Sequence, residues 1–89
     1  MKAFNTIFAD IMEKDKLRFG SLILSAFYCG NDVEARQIVG RLAEEAGFNP
    51  VDAGELKNAR YLEGMAHLNI QLAVTMQGGT DAGFGYFRK

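Results

Sequence analysis

Residues 55–77 read ELKNARYLEGMAHLNIQLAVTMQ, and this long proline-free stretch decides how the chain folds. It is rich in good helix formers, and its one glycine, Gly64, is internal. When this stretch is arranged as a helix, at about 100° per residue, its apolar residues cover more than half of the helix circumference. An arc that wide predicts a helix with neighbours on two sides. The arc consists of Leu56, Ala59, Leu62, Met65, Ala66, Leu68, Leu72, Ala73 and Met76.

Two polar residues interrupt this apolar arc. Asn58 and Asn69 point into its middle, about three turns apart. An unpaired buried amide costs about 1–3 kcal/mol, so each side chain should have a defined partner. That partner is either a backbone or interhelical hydrogen bond or a bound ligand, and the sequence leaves both open.

A shorter helix is predicted from residue 31 onward. Asn31 followed by Glu34 has the capping-box pattern, and Gly47 stands where the left-handed residue after a helix belongs. Before this helix, Ser21–Cys29 is almost continuously apolar, which is typical of a strand covered on both faces. After it, residues 50–54 form a short strand and turn. Strand, capped helix and strand in this order predict a βαβ unit.

The remaining segments complete the predicted fold. Lys2–Thr6 is predicted to be the end of a strand followed by a polar turn. Alternatively, Asn5 or Thr6 caps a short amphipathic turn that runs through Ile7, Phe8, Ile11 and Met12. The stretch at residues 13–18 is charged and is expected to be a solvated loop, and residues 83–88 an extended tail. We therefore predict one α/β domain over residues 1–89, with a small parallel sheet of about three strands, one capped helix and one long helix.

The composition argues against several classes of function. Ten basic and eleven acidic residues give a net charge of -1, which offers no electrostatic footprint for nucleic acid or for an anionic membrane. No apolar run approaches the roughly 18 residues of a membrane span, and the N-terminus lacks the pattern of a signal peptide. The single Cys29 fits a reducing compartment. We expect a soluble cytoplasmic protein.

Motifs for catalysis and metal binding are weak. The four glycines after residue 77 lack the Gly-x-Gly-x-x-Gly spacing and follow a helix, so they predict no pyrophosphate loop. His67 lies one turn from Glu63, which permits a pair but places no cleft around it. With one histidine, and one cysteine in an apolar strand, no metal site is predicted.

Asn5 and Thr6 are the candidates for ligand contacts that the local pattern offers. They lie just beyond a predicted strand end, and in open parallel sheets ligands bind in the crevice past those ends. Their polar side chains would then face a ligand. Equally, they would cap the turn that follows, and the residue types alone leave both roles open.

Several motifs occur in one order along the chain: KAFNT at residues 2–6, an aromatic-rich strand ending in Gly-Asn-Asp at residues 30–32, GFNPVDAG at residues 47–54 and NARYLE at residues 58–63. Together they resemble the C-terminal half of the NADP oxidoreductases of the deazaflavin-coenzyme-dependent type. Relatives of that family include the cytosolic reductase domains of six-transmembrane metalloreductases. Members often have Leu-Glu-Pro where this chain has Leu62-Glu63-Gly64, so the resemblance implies a less kinked helix here.

The resemblance implies a partial Rossmann-like fold that lacks the dinucleotide-binding half, which in the family carries the Gly-rich loop and most NADP contacts. It places Asn5 and Thr6 near the nicotinamide and second-substrate crevice, with the long helix beside it. The cofactor-binding residues that we expect are Asn5, Thr6, Asn58 and Asn69.

Three functions are compatible with that resemblance. The first is a truncated NADP-dependent oxidoreductase relative that retains the fold and the oligomerisation surface but does not catalyse alone, with NADP as the cofactor that the resemblance implies. The second is an oxidoreductase component that binds a nicotinamide or flavin-like cofactor together with a separate dinucleotide-binding chain. The third is a non-enzymatic small-ligand-binding module.

The resemblance also implies association between chains. In the family's strand order, Lys2–Asn5 pairs with a strand that this chain lacks, and an unpaired apolar edge is a template for association. We therefore expect a homodimer that covers either this edge or the second apolar side of the long helix.

Overall fold

A computed structural model describes residues 1–7, 18–80 and 82–88. Residues 8–17, which include most of the predicted charged loop and of the predicted amphipathic turn, lie outside the described part. In chain order the elements are β1 (Lys2–Ala3), β2 (Arg18–Phe19), β3 (Leu22–Ile23), β4 (Ser25–Cys29), α1 (Val33–Glu45), β5 (Asn49–Asp52), a 3-10 turn (Leu56–Asn58), α2 (Ala59–Ile70) and a π-helical turn (Gln71–Thr75).

The main sheet has three strands in the order β1-β4-β5. β4 and β5 are parallel, with Ser25 opposite Asn49 and Tyr28 opposite Asp52, and α1 connects them. β1 is antiparallel to β4, with Lys2 opposite Cys29. The predicted α/β class and the βαβ unit are therefore confirmed, but the sheet is mixed rather than parallel throughout.

The apolar run at residues 21–29 is two strands, not the single strand that the sequence predicted. β3 pairs with β2 in an antiparallel hairpin, with Phe19 opposite Leu22. Gly20 begins the turn at φ 66°, a left-handed conformation that glycine adopts without steric cost. β4 then starts at Ser25 and is buried along its whole length.

Helix α1 has the predicted position but a different N-cap. The side chain of Asp32, not of Asn31, accepts the backbone N–H groups of Glu34 and Ala35. The Asn31 side chain instead accepts the backbone N–H of Leu56 at 3.0 Å, which ties the start of α1 to the approach of α2. Asn31, which the local pattern assigned to the cap, therefore forms a long-range hydrogen bond with Leu56 instead.

The C-terminal end of α1 is as predicted. Gly47 has φ 101°, and its N–H donates to the carbonyl of Glu44 while that of Phe48 donates to Ala43. These two bonds form a Schellman motif, and Phe48 is buried behind it.

The core lies on both faces of β4, because successive side chains of a strand point to opposite faces. One cluster packs toward α1 and the other toward α2, so the structure has three layers. The first cluster contains Ile7, Leu24, Ala26, Ala43 and Phe48. The second contains Phe27, Cys29 and Leu62, with Val51, Ala53, Ala59, Met65 and Phe84 packed against it.

The predicted long helix packs on one side only within the described part of the chain. Leu62, Asn69 and Ala73 are buried, whereas much of the predicted arc is exposed, including Leu68 and Leu72. After α2 the tail is extended, and its Phe84 carbonyl accepts the N–H of Ser25 at 2.9 Å. No helix in the described segments combines the length and apolarity needed to cross a bilayer.

Candidate ligand site at the turn after the first strand

The turn after β1 has a strained backbone. Phe4 has φ 62°, a left-handed conformation that is uncommon for a bulky side chain and costs about 1–3 kcal/mol. The turn closes where the N–H of Ile7 donates to the Phe4 carbonyl at 3.3 Å. The Phe4 ring packs on Phe48, with ring centroids 5.4 Å apart, so contact with the core holds the strained residue in place. Backbone strain of this kind concentrates at functional sites.

Two asparagine side chains connect this turn to α2: one belongs to the turn and donates to the helix, and the other belongs to the helix and donates to the turn. Asn5 Nδ2 donates to the carbonyl of Leu62 at 3.0 Å. Asn69 Nδ2 donates to the carbonyl of Thr6 at 2.9 Å, in a buried environment. At the surface, Lys2 Nζ pairs with Glu63 Oε1 at 3.3 Å. The first residues of the chain are thus held against one face of the helix.

Two polar atoms of the turn have no partner within residues 1–7, 18–80 and 82–88. Asn5 Oδ1 and Thr6 Oγ1 are enclosed, and neither has a hydrogen-bond partner among the described residues. Thr6 is only 2 % exposed. A buried polar atom without a partner costs about 1–3 kcal/mol. Asn5 Oδ1 is an acceptor and the Thr6 hydroxyl both donates and accepts, so together they have the hydrogen-bonding capacity to pair with the N–H and C=O of an amide-like edge.

The structure brings three of the four predicted site residues together. Asn5, Thr6 and Asn69 meet at this turn, whereas Asn58 donates to the Ala53 carbonyl at 2.7 Å. Asn58 and Asn69 are separated by about 16 Å along the helix at 1.5 Å per residue. Both asparagine amides therefore have backbone partners, the first of the two alternatives that the sequence left open.

The position of the turn differs from the expected one in one respect. Asn5 and Thr6 do follow the carboxyl end of their own strand. However, β1 runs antiparallel to β4, and the Phe4 N–H donates to Phe27. The turn therefore lies toward the amino end of β4 and away from the carboxyl ends of the two parallel strands.

The carboxyl edge of β4 and β5 carries a polar cluster that the sequence analysis missed. Arg36 on α1 pairs with Asp52 at 3.2 Å and donates to the carbonyl of Gly30. Asp52 also accepts the N–H of Gly54 at 2.8 Å. Burial raises the pKa of Tyr28, and the nearby Asp52 carboxylate raises it further, against a lowering effect of Arg36. The sequence feature that could have indicated this cluster is the Asp52-Ala53-Gly54 turn at the end of β5.

A groove of about 490 Å³ runs between β5 and the C-terminal tail, away from all four predicted site residues. It combines the exposed aromatic rings of Tyr86 and Phe87 with the opposite charges of Asp52 and Arg88. Its strand side is lined by residues 49–52.

The other residues considered for chemistry have structural surroundings. Glu63 pairs with Lys2, and His67 is exposed on α2. Cys29 is fully buried in β4, in the core cluster next to Leu62. Across residues 1–7, 18–80 and 82–88, no three histidine, cysteine or acidic side chains group to hold a metal ion.

Comparison with known proteins relates the chain to a reductase. No family model matches the sequence. It is 34% identical to the human metalloreductase STEAP2 over 68 residues, which is 73% of this chain but 13% of that protein. The matched region thus spans a small part of the relative, and the similarity extends over most of the chain described above. The sequence is therefore oxidoreductase-related.

Proposed function

We propose that this chain is the C-terminal part of an NADP-dependent oxidoreductase of the deazaflavin-coenzyme type, and that it does not catalyse alone. The observation that carries the proposal is the 34% identity to a metalloreductase over 68 residues. The partial Rossmann-like three-layer fold is compatible with it. Hydride transfer needs a bound and oriented cofactor, and the glycines at residues 78 and 79 follow the helix rather than open one. The dinucleotide-binding loop must therefore come from outside residues 1–89.

The turn after β1 is the part of this chain that would meet the cofactor ring. Asn5 Oδ1 would accept from the N–H of an amide-like edge, and Thr6 Oγ1 would donate to its carbonyl oxygen. The nicotinamide carboxamide has such an edge, and a flavin-like ring has one as well. Because both protein atoms are enclosed, the residues around the turn must open for a ring to reach them.

The outer edge of β1, which pairs with no other strand among the described residues, supports a separate dinucleotide-binding unit as a second candidate arrangement. β1 is the outer strand of the sheet, and the Phe4 N–H points toward β4. Since backbone groups alternate in direction along a strand, the N–H and C=O of Ala3 point outward. A strand from another chain, or from another part of the same protein, would pair with these groups.

The test of the proposal is titration of NADPH into the chain by calorimetry, together with melting curves. We expect no measurable heat and no rise in melting temperature at millimolar cofactor, because the phosphate-binding half is not within residues 1–89. Binding in the micromolar range would overturn the proposal and make the chain a self-sufficient cofactor-binding protein.

A second measurement tests the ring contact. We expect reduced nicotinamide mononucleotide or a free flavin, added at high concentration, to shift the amide NMR signals of Asn5, Thr6 and Asn69. Thr6→Val should abolish those shifts, since valine has the same shape without the hydroxyl. Asn58→Ala is the matched control, because Asn58 lies at the other end of α2 and should not affect them.

A further inference from the structure

A second cleft, of about 390 Å³, lies between α1 and the main sheet. Its volume is within the range of pockets that hold small ligands, about 300–1,000 Å³. The four residues that α1 contributes occupy positions i, i+3, i+4 and i+7, which share one face of a helix. We name this site the α1–β5 cleft. It is lined by Tyr28 of β4, Pro50 of β5, and Gln37, Gly40, Arg41 and Glu44 of α1.

The cleft contains a buried hydroxyl that makes no hydrogen bond with the described residues. It belongs to Tyr28, which is 7 % exposed. The hydroxyl oxygen lies 2.5 Å from where a Cβ on Gly40 would be, so glycine leaves the room that the hydroxyl occupies. Glycine is one of the poorest residues for a helix interior, and buried polar groups normally have partners. Burial, and then the charge of Asp52, raises the pKa of Tyr28, so the hydroxyl is a proton donor at neutral pH.

Two opposite charges of the cleft are also unpaired within the described part of the chain. Arg41 and Glu44 are exposed on α1, about 4.5 Å apart along the helix axis. The ion pairs between described residues involve other side chains. A guanidinium binds a carboxylate with two parallel hydrogen bonds, and a carboxylate accepts from an ammonium group. A ligand that carries both charges close together therefore complements both residues.

We propose that the α1–β5 cleft binds a small α-amino acid with an apolar side chain. The guanidinium of Arg41 and the hydroxyl of Tyr28 donate to its carboxylate, and Glu44 accepts from its ammonium group. The rings of Tyr28 and Pro50 provide the apolar surface that its side chain contacts. The amide of Gln37 is a further donor on the same face of the helix.

The experiment is a titration of L-leucine into the chain, followed by NMR and compared with two analogues of the same carbon skeleton. Isocaproate lacks the ammonium group, and isoamylamine lacks the carboxylate. We expect leucine at millimolar concentration to give saturable shifts in the amide signals of Gly40, Arg41 and Val51. Each analogue should bind at least roughly tenfold more weakly, because each leaves one charge of the cleft without a partner.

Matched variants assign the contacts to single residues. Arg41→Gln should weaken leucine binding at least roughly tenfold, whereas Arg60→Gln, the same change on α2, should leave it unchanged. In Glu44→Gln the ammonium group loses its partner, so leucine and isocaproate should bind with equal affinity. Tyr28→Phe keeps the ring and removes the hydroxyl, so it should weaken the binding of both compounds by a similar factor.

Three results would each overturn this assignment. They are an absence of saturable shifts with leucine, equal binding of the three compounds to the wild-type chain, and equal effects of Arg41→Gln and Arg60→Gln. Circular dichroism checks that each variant keeps its fold. The cleft contains none of the residues of the proposed ring contacts, and its probes differ from NADPH and the cofactor rings, so the two proposals fail independently.

Discussion

Thr6 combines burial with a hydroxyl that has no partner among the described residues. Such an atom destabilises the fold unless something else, such as a ligand, satisfies it. We predict that Thr6→Val raises the free energy of unfolding by about 1 kcal/mol, because it removes an unsatisfied polar atom while keeping the shape of the side chain. Urea denaturation measures the change. A loss of stability of similar size would show that the hydroxyl has a structural partner, and the ring contact would lose its basis.

Gly40 and Tyr28 form a close contact between α1 and the sheet. A Cβ on Gly40 would lie 2.5 Å from the Tyr28 hydroxyl oxygen. Alanine normally stabilises a helix interior relative to glycine, but here we predict that Gly40→Ala lowers the free energy of unfolding by about 1–3 kcal/mol through overpacking. Adding Tyr28→Phe should restore part of the loss. If Gly40→Ala is as stable as the wild type by urea denaturation, the contact is not this tight.

Tyr28 also gives the molecule a pH dependence. Burial, followed by the charge of Asp52, raises the pKa of Tyr28 above 10.0. The unfolded chain therefore releases this proton first, so the contribution of Tyr28 to stability is complete below about pH 10 and is lost as pH rises toward the folded pKa. Ultraviolet titration of the three tyrosines should show one that ionises late. This late component should be missing in Tyr28→Phe, and its persistence there would assign it to another tyrosine.

At the scale of elements, the signals within a few residues were sufficient for α1 and insufficient for the strands. The capping pattern at residues 31–34 and the glycine at position 47 predicted the position of α1 and its Schellman end, because both depend on neighbours in sequence. The β2–β3 hairpin was missed although Gly20-Ser21 is a recognised turn pair, because the apolar run after it reads as one strand. The choice of Asp32 over Asn31 as the cap depends on Leu56, which only the folded chain brings near.

The contact between the β1 turn and α2 depends on Asn69. The Asn69 side chain is buried, and its Nδ2 donates a hydrogen bond to the carbonyl of Thr6. We predict that Asn69→Leu lowers the free energy of unfolding by about 1–3 kcal/mol, since it leaves a buried carbonyl unpaired. The backbone amide signals of the turn should also broaden or shift in NMR spectra. Asn58→Ala is the control, because it should reduce stability without moving the signals of Asn5 and Thr6. Identical spectral changes in both variants would mean that Asn69 does not hold the turn.

At the scale of the whole molecule, the direction of β1 is what the sequence could not determine. Pairing of Lys2 with Cys29 joins segments far apart in the chain, and no local pattern encodes whether such strands run parallel or antiparallel. The sequence analysis expected Asn5, Thr6, Asn58 and Asn69 in one ligand site, and it did not indicate that Asn58 lies apart from the other three. The two edges of the sheet also differ. Pro50 removes an outward N–H from β5, whereas β1 has no proline.

Hydrogen exchange at the two edges of the sheet distinguishes association through the edge of β1 from association through the long helix. The N–H of Ala53 donates to Tyr28 at 2.7 Å inside the sheet and should exchange with solvent only when the sheet opens. The N–H of Ala3 faces away from β4 and should exchange quickly in the monomer. If two chains join through the exposed apolar side of the long helix, hydrogen exchange at Ala3 stays fast in the dimer while Ala53 remains protected. If dimerisation instead protects Ala3, a second strand has paired with β1, and the sheet edge rather than α2 is the interface between the two copies.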